Sequence, residues 1–162
     1  MQELSTNVTI DDMDRQRIYI NDKNRLLERA TPKRGTVTYV GNAQDTVREK
    51  EVVTIDWLHN NIGGNINVLP ENNPDGTPNP DLLWNNILVD IKHTSGNLGT
   101  LNWHVQKAMG QTNNGGVIID VTNTRFSNKD VIDTVTNRLR ERRGTFALIL
   151  KDNEIMAYIE EK

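Results

Sequence analysis

Hydrophobic residues recur at helical spacing in three segments of the chain. In the first segment, residues 47–61, a stripe of such residues leads to the pair Gly63-Gly64. The stripe consists of Val52, Ile55, Leu58 and Ile62. Positions three and four apart share one face of a helix, and paired glycines are typical of a helix end. Residues 98–110 and 128–142 repeat the pattern, so these segments predict three helices.

Short hydrophobic runs bounded by turn-forming residues predict strands downstream of the first helix. Asn85-Asn86 separates two of these runs and predicts a hairpin, because asparagine tolerates the left-handed backbone of tight turns. The nearly continuous run at residues 116–121 indicates a central strand buried on both faces. The predicted strands are residues 66–69, 81–84, 87–92, 116–121, 145–150 and 155–159, and residues 70–80 are expected to form an exposed loop.

The order of these elements predicts an α/β fold with a mixed central sheet flanked by helices. The order is helix, three strands, helix and strand, followed by a C-terminal helix and a β-hairpin. Residues 1–46 have weaker periodicity, which indicates only a short helix at 22–29 and a short strand at 36–40. We therefore predict an arm or linker from a neighbouring module at residues 1–46 and one folded domain at residues 47–162.

Charge and composition restrict the function. The formal net charge of −3 argues against a nucleic-acid partner, but residues 92–151 carry nine Lys and Arg against four Asp and Glu. A local basic face is sufficient for binding phosphates. The chain has no Cys, which excludes disulfides, a thiolate zinc site and a cysteine nucleophile. No apolar run is long enough to span a membrane, and we expect no secretion signal at the N-terminus.

Three charged residues at the predicted hairpin form the strongest candidate site. Asp81 follows Pro80 and begins one strand, and Asp90 and Lys92 end the next. Side chains alternate along a strand, so Asp90 and Lys92 share a face, and a hairpin places Asp81 opposite or nearly opposite Asp90. We expect all three at a solvent-facing edge of the sheet. Such carboxylates suit Mg²⁺ or Mn²⁺, and a neighbouring ammonium can stabilise charge on a phosphate.

A further carboxylate comes from the first predicted helix. Glu51 lies on the hydrophobic stripe of that helix and therefore points inward. Since an inward carboxylate needs a partner or a metal ion, Glu51 is the candidate third ligand, with Glu49 as its alternative if the helix register differs. Zn²⁺ is a less suitable metal, because the chain has three scattered His and no Cys.

Several residues are candidates for contacts with a substrate. Trp103 is able to stack on a base of a single-stranded nucleic acid, although packing in the core is an alternative role. Arg125 lies in a loop beside the buried strand, and Arg138 belongs to a basic cluster on the last helix, so both fit contacts to phosphates. His104 is the general base that a metal-independent ribonuclease would use. His93 is expected on the strand face opposite Lys92.

This combination of motif and element order resembles the PD-(D/E)xK nuclease superfamily, whose shared core has the order αβββαβ. A longer set of residues is similar, more narrowly, to the C-terminal nuclease domains of CdiA-type contact-dependent growth inhibition toxins. Related domains end some phage head morphogenesis proteins and other polymorphic bacterial toxins. The residues that carry the resemblance are Trp57-Leu58, Ile62-Gly63-Gly64, Pro80-Asp81, Asp90-Ile91-Lys92, Lys107 and Gln111.

The resemblance implies roles for individual residues. Asp81 and Asp90 match the metal-binding carboxylates, and Lys92 matches the catalytic lysine. Glu51 fits the helix carboxylate of the family. The helix after the Asp-x-Lys strand often presents a Gln or Lys to the site, for which Gln111 is the best match. The other candidates on that helix are Lys107, as a substrate-binding residue, and Gln106.

The resemblance also implies a biological setting. It predicts a metal-dependent ribonuclease that often cleaves tRNA and is neutralised by a cognate immunity protein. Such a domain acts in the bacterial cytoplasm and enters the target cell as part of a larger secreted or phage-borne protein. Two other functions fit the sequence: a DNA endonuclease of the same fold from a phage or mobile element, and a non-catalytic module that binds nucleic acid or protein. The sequence favours no particular oligomeric state.

Overall fold

A computed structural model of the chain describes residues 8–11, 16–21, 23–30, 35–71 and 78–162. In these segments the chain forms nine strands, five helices and one mixed sheet. The strands are β1 (Val8–Asp11), β2 (Gln16–Ile20), β3 (Val37–Tyr39), β4 (Ile66–Val68), β5 (Leu82–Trp84), β6 (Ile87–His93), β7 (Gly116–Asp120), β8 (Phe146–Lys151) and β9 (Glu154–Glu161). The helices are α1 (Asn24–Arg29), α2 (Ala43–Thr46), α3 (Glu49–Asn61), α4 (Leu98–Gln111) and α5 (Asn128–Leu139).

The sheet has the strand order β1-β2-β9-β8-β7-β6-β5-β4-β3. Its centre is parallel, because β6 pairs with β7 and β7 with β8 in the same direction, and β3 also runs parallel to β4. The remaining neighbours are antiparallel. The segment from α3 to β7 has the order αβββαβ, which confirms the predicted α/β fold with a mixed sheet flanked by helices.

The hairpin between β5 and β6 fixes the geometry of the candidate site. Asn85 and Asn86 both have positive φ, at 47° and 69°, as the tight turns that match strand twist require. The turn sets the register, with Trp84 opposite Ile87 and Leu82 opposite Val89. The pairing ends at Leu82 and Val89, and Asp81 and Asp90 are the next residue of each strand, so their carboxyls come into contact. The hairpin prediction is therefore confirmed.

Helices cover both faces of the sheet, and each face has its own hydrophobic core. On one face α4 and α5 pack through Val105 and Val135 against alternate residues of β7, including Val117 and Ile119. Ile118 lies between those two residues in sequence and faces the opposite core. That second core contains residues from α1, α3 and strands β4 to β6 and β8, including Leu26, Ile55, Leu58, Trp84 and Phe146. Because alternate residues of a strand face opposite sides of the sheet, both faces are covered by helices, and the fold has three layers: helices, sheet and helices.

The sheet and the core cross the predicted boundary at residue 46. β2 pairs with β9 over five residue pairs, and β3 pairs with β4. Leu26, Ala30 and Ala43 are fully buried in the same core as residues of the 47–162 segment. The described part of residues 1–46 is therefore not a free arm but contributes strands and core residues to the same fold.

The other predicted elements are present with small shifts at their ends. The helix predicted at 128–142 ends at Leu139, since Arg140 and Glu141 leave the helical conformation. The predicted helix at 22–29 corresponds to α1, although Asp22 lies outside the described residues. The predicted 70–80 loop also falls partly outside them, because residues 72–77 are not described. No helix in the described segments is long and apolar enough to cross a membrane.

Candidate active site

An open cavity of about 580 Å³ lies where the N-terminus of α3, the β5–β6 hairpin and α4 meet. It brings together seven of the nine residues that the sequence predicts for the site. These are Glu51, Asp81, Asp90, Lys92, Trp103, Lys107 and Gln111. The lining also includes Arg48, Glu49, Lys50, Glu71, Asn79, Ile91, His93 and His104.

The backbone of β6 holds Asp81 in place. The Asp81 N–H donates a hydrogen bond of 3.2 Å to the carbonyl of Val89, although Leu82 is the residue paired with Val89, so the regular ladder ends at this point. Oδ2 of Asp81 accepts a hydrogen bond of 2.7 Å from the backbone N–H of Ile91. Because Ile91 follows Asp90 directly, this bond fixes the Asp81 carboxyl beside the Asp90 side chain.

Asp90 and Lys92 form an ion pair that is more buried than the sequence suggests. Nζ of Lys92 lies 2.9 Å from Oδ2 of Asp90, as expected for residues on one strand face. Asp90 is only 3% exposed, and the Lys92 side chain is 19% exposed. The expectation of a solvent-facing edge is therefore wrong for Asp90, because α4 packs over this part of β6.

One oxygen of this pair lacks a hydrogen bond. Oδ2 of Asp90 is buried and has no hydrogen-bond partner, although the Lys92 ammonium is near. A buried carboxylate oxygen without a hydrogen bond is unfavourable unless another positive group binds it. The Lys92 ammonium at 2.9 Å supplies the positive charge that this buried oxygen requires.

The electrostatics of the site are dominated by crowded carboxyl groups. The pKa of the Asp81 carboxyl is raised from 3.8 to about 9, mainly by burial and then by the contact with Asp90 and its charge. The charge of Glu51 raises it further, and the hydrogen bond from Ile91 opposes the increase. In the absence of a bound cation, Asp81 is therefore protonated at neutral pH.

Glu51 is the half-buried carboxylate of the α3 N-terminus, whereas Glu49 is exposed. Oε1 of Glu51 accepts a hydrogen bond of 3.1 Å from the Arg48 N–H, which stabilises the first turn of α3. Glu51 also borders a small second cavity together with Asp81. The structure thus favours Glu51 over Glu49 as the carboxylate that lies near Asp81, and it shows a capping function that the sequence did not indicate.

The carboxylates fit a hard cation that takes few protein ligands. In the described segments, no group of three or more His, Asp or Glu side chains is spaced to hold a metal ion. Asp81 and Asp90 do provide two adjacent carboxyls, one with a buried oxygen that lacks a hydrogen bond. Mg²⁺ is commonly bound by one or two carboxylates together with water and substrate phosphates. The donor set therefore suits Mg²⁺ or Mn²⁺ more than Zn²⁺.

The helix α4 forms the wall of the cavity opposite the N-terminus of α3. Of the three candidates on this helix, Lys107 and Gln111 line the cavity and Gln106 does not. Oε1 of Gln111 accepts a short hydrogen bond from the Asn79 N–H. Asn79 precedes Pro80-Asp81, so Gln111 anchors the segment that leads into Asp81.

The cavity lining includes His93 and His104, the two histidines that the sequence places near Lys92 and on α4. Nδ1 of His104 is 2.8 Å from Oγ1 of Thr94, and Nε2 of His93 is 3.2 Å from Oγ1 of Thr54 on α3. Burial lowers the pKa of both, and the positive charges of Lys92 and Lys107 lower that of His104 further. His93 meets α3, whereas Lys92 lies on the face covered by α4, so the predicted position of His93 on the strand face opposite Lys92 is confirmed.

Two predicted substrate-binding residues lie outside the cavity. Arg125 is exposed in the loop between β7 and α5. Nε of Arg138 donates a hydrogen bond of 2.9 Å to Oδ1 of Asn102, which joins α5 to α4. The basic cluster of α5 is thus not part of the cavity lining, and phosphate contacts by these residues stay a prediction.

No known protein family and no curated protein sequence matches the chain. Among solved structures, the chain is similar to one in the "CdiA-CT/CdiI toxin and immunity complex from Burkholderia pseudomallei". The TM-score is 0.49 and the identity 14%, and the match covers 67% of this chain and 80% of that chain. At this score and identity, the similarity identifies neither a family nor a function.

Proposed function

We propose that this protein is a metal-dependent nuclease of the PD-(D/E)xK type with its active centre at Asp81, Asp90 and Lys92. One observation carries the proposal. The hairpin holds two carboxyls and an ammonium in one open cavity, with the ammonium 2.9 Å from an oxygen of the buried Asp90. A strongly raised pKa of the kind found at Asp81 is frequent at functional sites.

The division of roles follows from phosphodiester chemistry. Asp81 and Asp90 would hold Mg²⁺ or Mn²⁺, with Glu51 near enough to contribute its charge. When bound, the cation would neutralise phosphate charge and polarise the attacking water. The Lys92 ammonium would stabilise the negative charge that develops on the phosphoryl oxygens in the transition state. Its ion pair with Asp90 fixes the ammonium in place beside the two carboxyls.

The proposed substrate is RNA, with tRNA first, and the proposed setting is that of a toxin domain. This part of the proposal is supported by the similarity of the Pro80-Asp81 and Asp90-Ile91-Lys92 motifs to contact-dependent growth inhibition nucleases. Lys50, Lys92 and Lys107 at the cavity provide local positive charge for phosphates, despite the net charge of −3. Such a domain would act in the cytoplasm of a target bacterium and enter it within a larger protein.

A cognate immunity protein would complete this setting. An acidic protein that covers the lysines at the cavity would compete with the substrate phosphates and so inhibit cleavage. The acidic inhibitor would associate rapidly at low salt and more slowly as salt screens the charges.

A cleavage assay tests the proposed function. Total RNA, tRNA and plasmid DNA are incubated with the wild-type protein, with Asp90→Asn and with Asp133→Asn, each in Mg²⁺ and in EDTA. Asp133 is a matched control because it is an exposed aspartate of α5 paired with Lys129. We expect loss of RNA only with Mg²⁺ and only with the wild type and Asp133→Asn. Nicking of the plasmid instead would make the protein a DNA endonuclease. Absence of all cleavage would indicate a binding module and would contradict the proposal.

A further inference from the structure

Trp103 is exposed at a position where packing does not require an aromatic side chain. The buried face of α4 is formed by Leu101, Val105, Ala108 and Met109, and Trp103 lies outside that stripe. It is 54% exposed and lines the same cavity as Asp90 and Lys92. An exposed indole beside a charged cavity leaves ring surface accessible to a ligand.

The other two tryptophans have structural roles. Trp84 is fully buried, and its Nε1 donates a hydrogen bond of 2.9 Å to the carbonyl of Gly63. Nε1 of Trp57 donates a hydrogen bond of 3.0 Å to the carbonyl of Asn153. Trp103 therefore differs from both in exposure and in its location at the cavity.

The neighbours of Trp103 orient its ring and add positive charge. Nζ of Lys107, one turn along α4, lies 4.9 Å from the indole centroid, which is a cation–π distance. The His104 ring lies with its centroid 5.5 Å from the indole at an interplanar angle of 42°. The Lys107 ammonium adds positive charge beside the ring, and positive charge attracts the phosphates of a nucleic-acid strand.

We infer that Trp103 is a stacking surface for one nucleobase near the scissile phosphate, and that the substrate must present this base unpaired. This inference rests on the proposed nuclease function. In a duplex each internal base is already stacked on both sides, so an aromatic side chain gains contact only with a base that is single-stranded or turned out of the helix. The nuclease would therefore select loops, ends and single strands over continuous duplex. Stacking alone tolerates every base, so Trp103 would select structure rather than sequence.

Binding without cleavage tests the inference. A short fluorescein-labelled single-stranded RNA, and the same strand annealed to its complement, are titrated in EDTA with the wild type, Trp103→Leu, Trp103→Phe and Trp57→Phe. Stacking of one base is worth about 1–3 kcal/mol, so Trp103→Leu should weaken single-strand binding about 5- to 150-fold. Trp103→Phe should retain most of the affinity, and Trp57→Phe should change nothing. Duplex binding should be weaker than single-strand binding and should be unaffected by Trp103→Leu.

The results separate this inference from the proposed function. Single-strand binding that depends on Trp103 without any cleavage in Mg²⁺ would support the stacking surface and contradict the nuclease. Equal cleavage of single strand and duplex, with no effect of Trp103→Leu on binding, would support the nuclease and overturn the stacking surface. Because Trp103 is exposed, its variants should unfold at the wild-type temperature. A second readout is quenching of intrinsic fluorescence by the single strand, which should shrink in Trp103→Phe. Unchanged quenching would count against the inference.

Discussion

Nζ of Lys92 lies 2.9 Å from Oδ2 of Asp90, two positions away on the same strand. The spacing follows from β geometry, since residues i and i+2 project from one face. The pair is half enclosed by α4, and the neighbouring Asp81 has a carboxyl whose pKa is raised by burial and by Asp90. Of the two adjacent carboxyls, the Lys92 ammonium pairs with that of Asp90, and the Asp81 carboxyl is protonated at neutral pH when no cation is bound. Two adjacent carboxyls with one ammonium are the physical basis for expecting a divalent cation.

Replacing Lys92 with Met should abolish cleavage and also reduce stability. The substitution keeps most of the aliphatic stem but leaves the Asp90 carboxylate buried without its positive partner. Breaking a buried pair from one side costs about 3 kcal/mol in the free energy of unfolding, which urea denaturation measures. Lys129→Met is the control, because Lys129 pairs with Asp133 on the surface, and it should change stability negligibly. Equal free energies of unfolding for the two variants would show that the Asp90–Lys92 pair contributes no more to stability than a surface ion pair.

The metal-free protein should be more stable in mild acid than in mild alkali. The folded-state pKa of Asp81 is about 9, above the ordinary value of 3.8. A group with a raised folded-state pKa favours the folded state below its ordinary pKa, and that contribution is lost as the pH rises toward 9. The unfolding temperature, measured in EDTA from pH 5 to pH 9, should therefore fall as the pH rises.

Asp81→Asn should flatten this pH dependence, because the amide does not titrate. It should also raise the unfolding temperature in EDTA near pH 8 while abolishing cleavage. Asp133→Asn keeps the buried carboxyls, so its unfolding temperature should depend on pH as that of the wild type does. A wild-type unfolding temperature that rises steadily between pH 5 and pH 9 in EDTA would contradict the assignment of Asp81.

Replacing Leu26 with Ala should destabilise the whole domain, although Leu26 lies in the segment before residue 46. Its side chain is fully buried in the core with Trp84 and Phe146. Loss of such a side chain costs about 2–5 kcal/mol, depending on how far the cavity collapses. Leu27→Ala is the matched control, because Leu27 is only partly buried, and it should have a smaller effect in urea denaturation. Wild-type stability of Leu26→Ala would mean that α1 does not pack on the sheet.

Gln111→Leu should reduce kcat while changing stability little. The side chain anchors Asn79 and so positions the entry to Asp81. One lost hydrogen bond accounts for about 1 kcal/mol of stability, whereas a displaced Asp81 impairs every turnover. Gln106→Leu changes the same residue type on α4 outside the cavity lining, and it should leave kcat unchanged. If both variants have equal kcat, Gln111 does not position the site.

The sequence predicted the site better than it predicted the boundaries of the fold. Asp81, Asp90 and Lys92 meet because a two-residue turn at Asn85-Asn86 sets a local register, and local registers are readable from a sequence. The pairing of β2 with β9 joins residues about 140 positions apart. A local sequence pattern cannot predict such a contact.

The burial of Asp90 and the anchoring of Asn79 by Gln111 could not be predicted from local sequence patterns either. The enclosure of Asp90 depends on how α4 packs across β6, and the anchoring of Asn79 by Gln111 depends on a loop that meets the end of a helix. The placement of Arg138 against Asn102 similarly depends on the packing of α5 on α4. The sequence therefore indicated which residues carry charge near the site, and tertiary packing decided which of them line the cavity.

The most direct test of the central claim is Mn²⁺ binding measured by electron paramagnetic resonance on the free protein. We predict one bound Mn²⁺ per wild-type chain, loss of binding in Asp81→Asn and in Asp90→Asn, and retention of binding in Lys92→Met, which keeps both carboxyls. Mn²⁺ binding that survives in Asp90→Asn, or a wild-type protein that binds none, would contradict a cation held between Asp81 and Asp90.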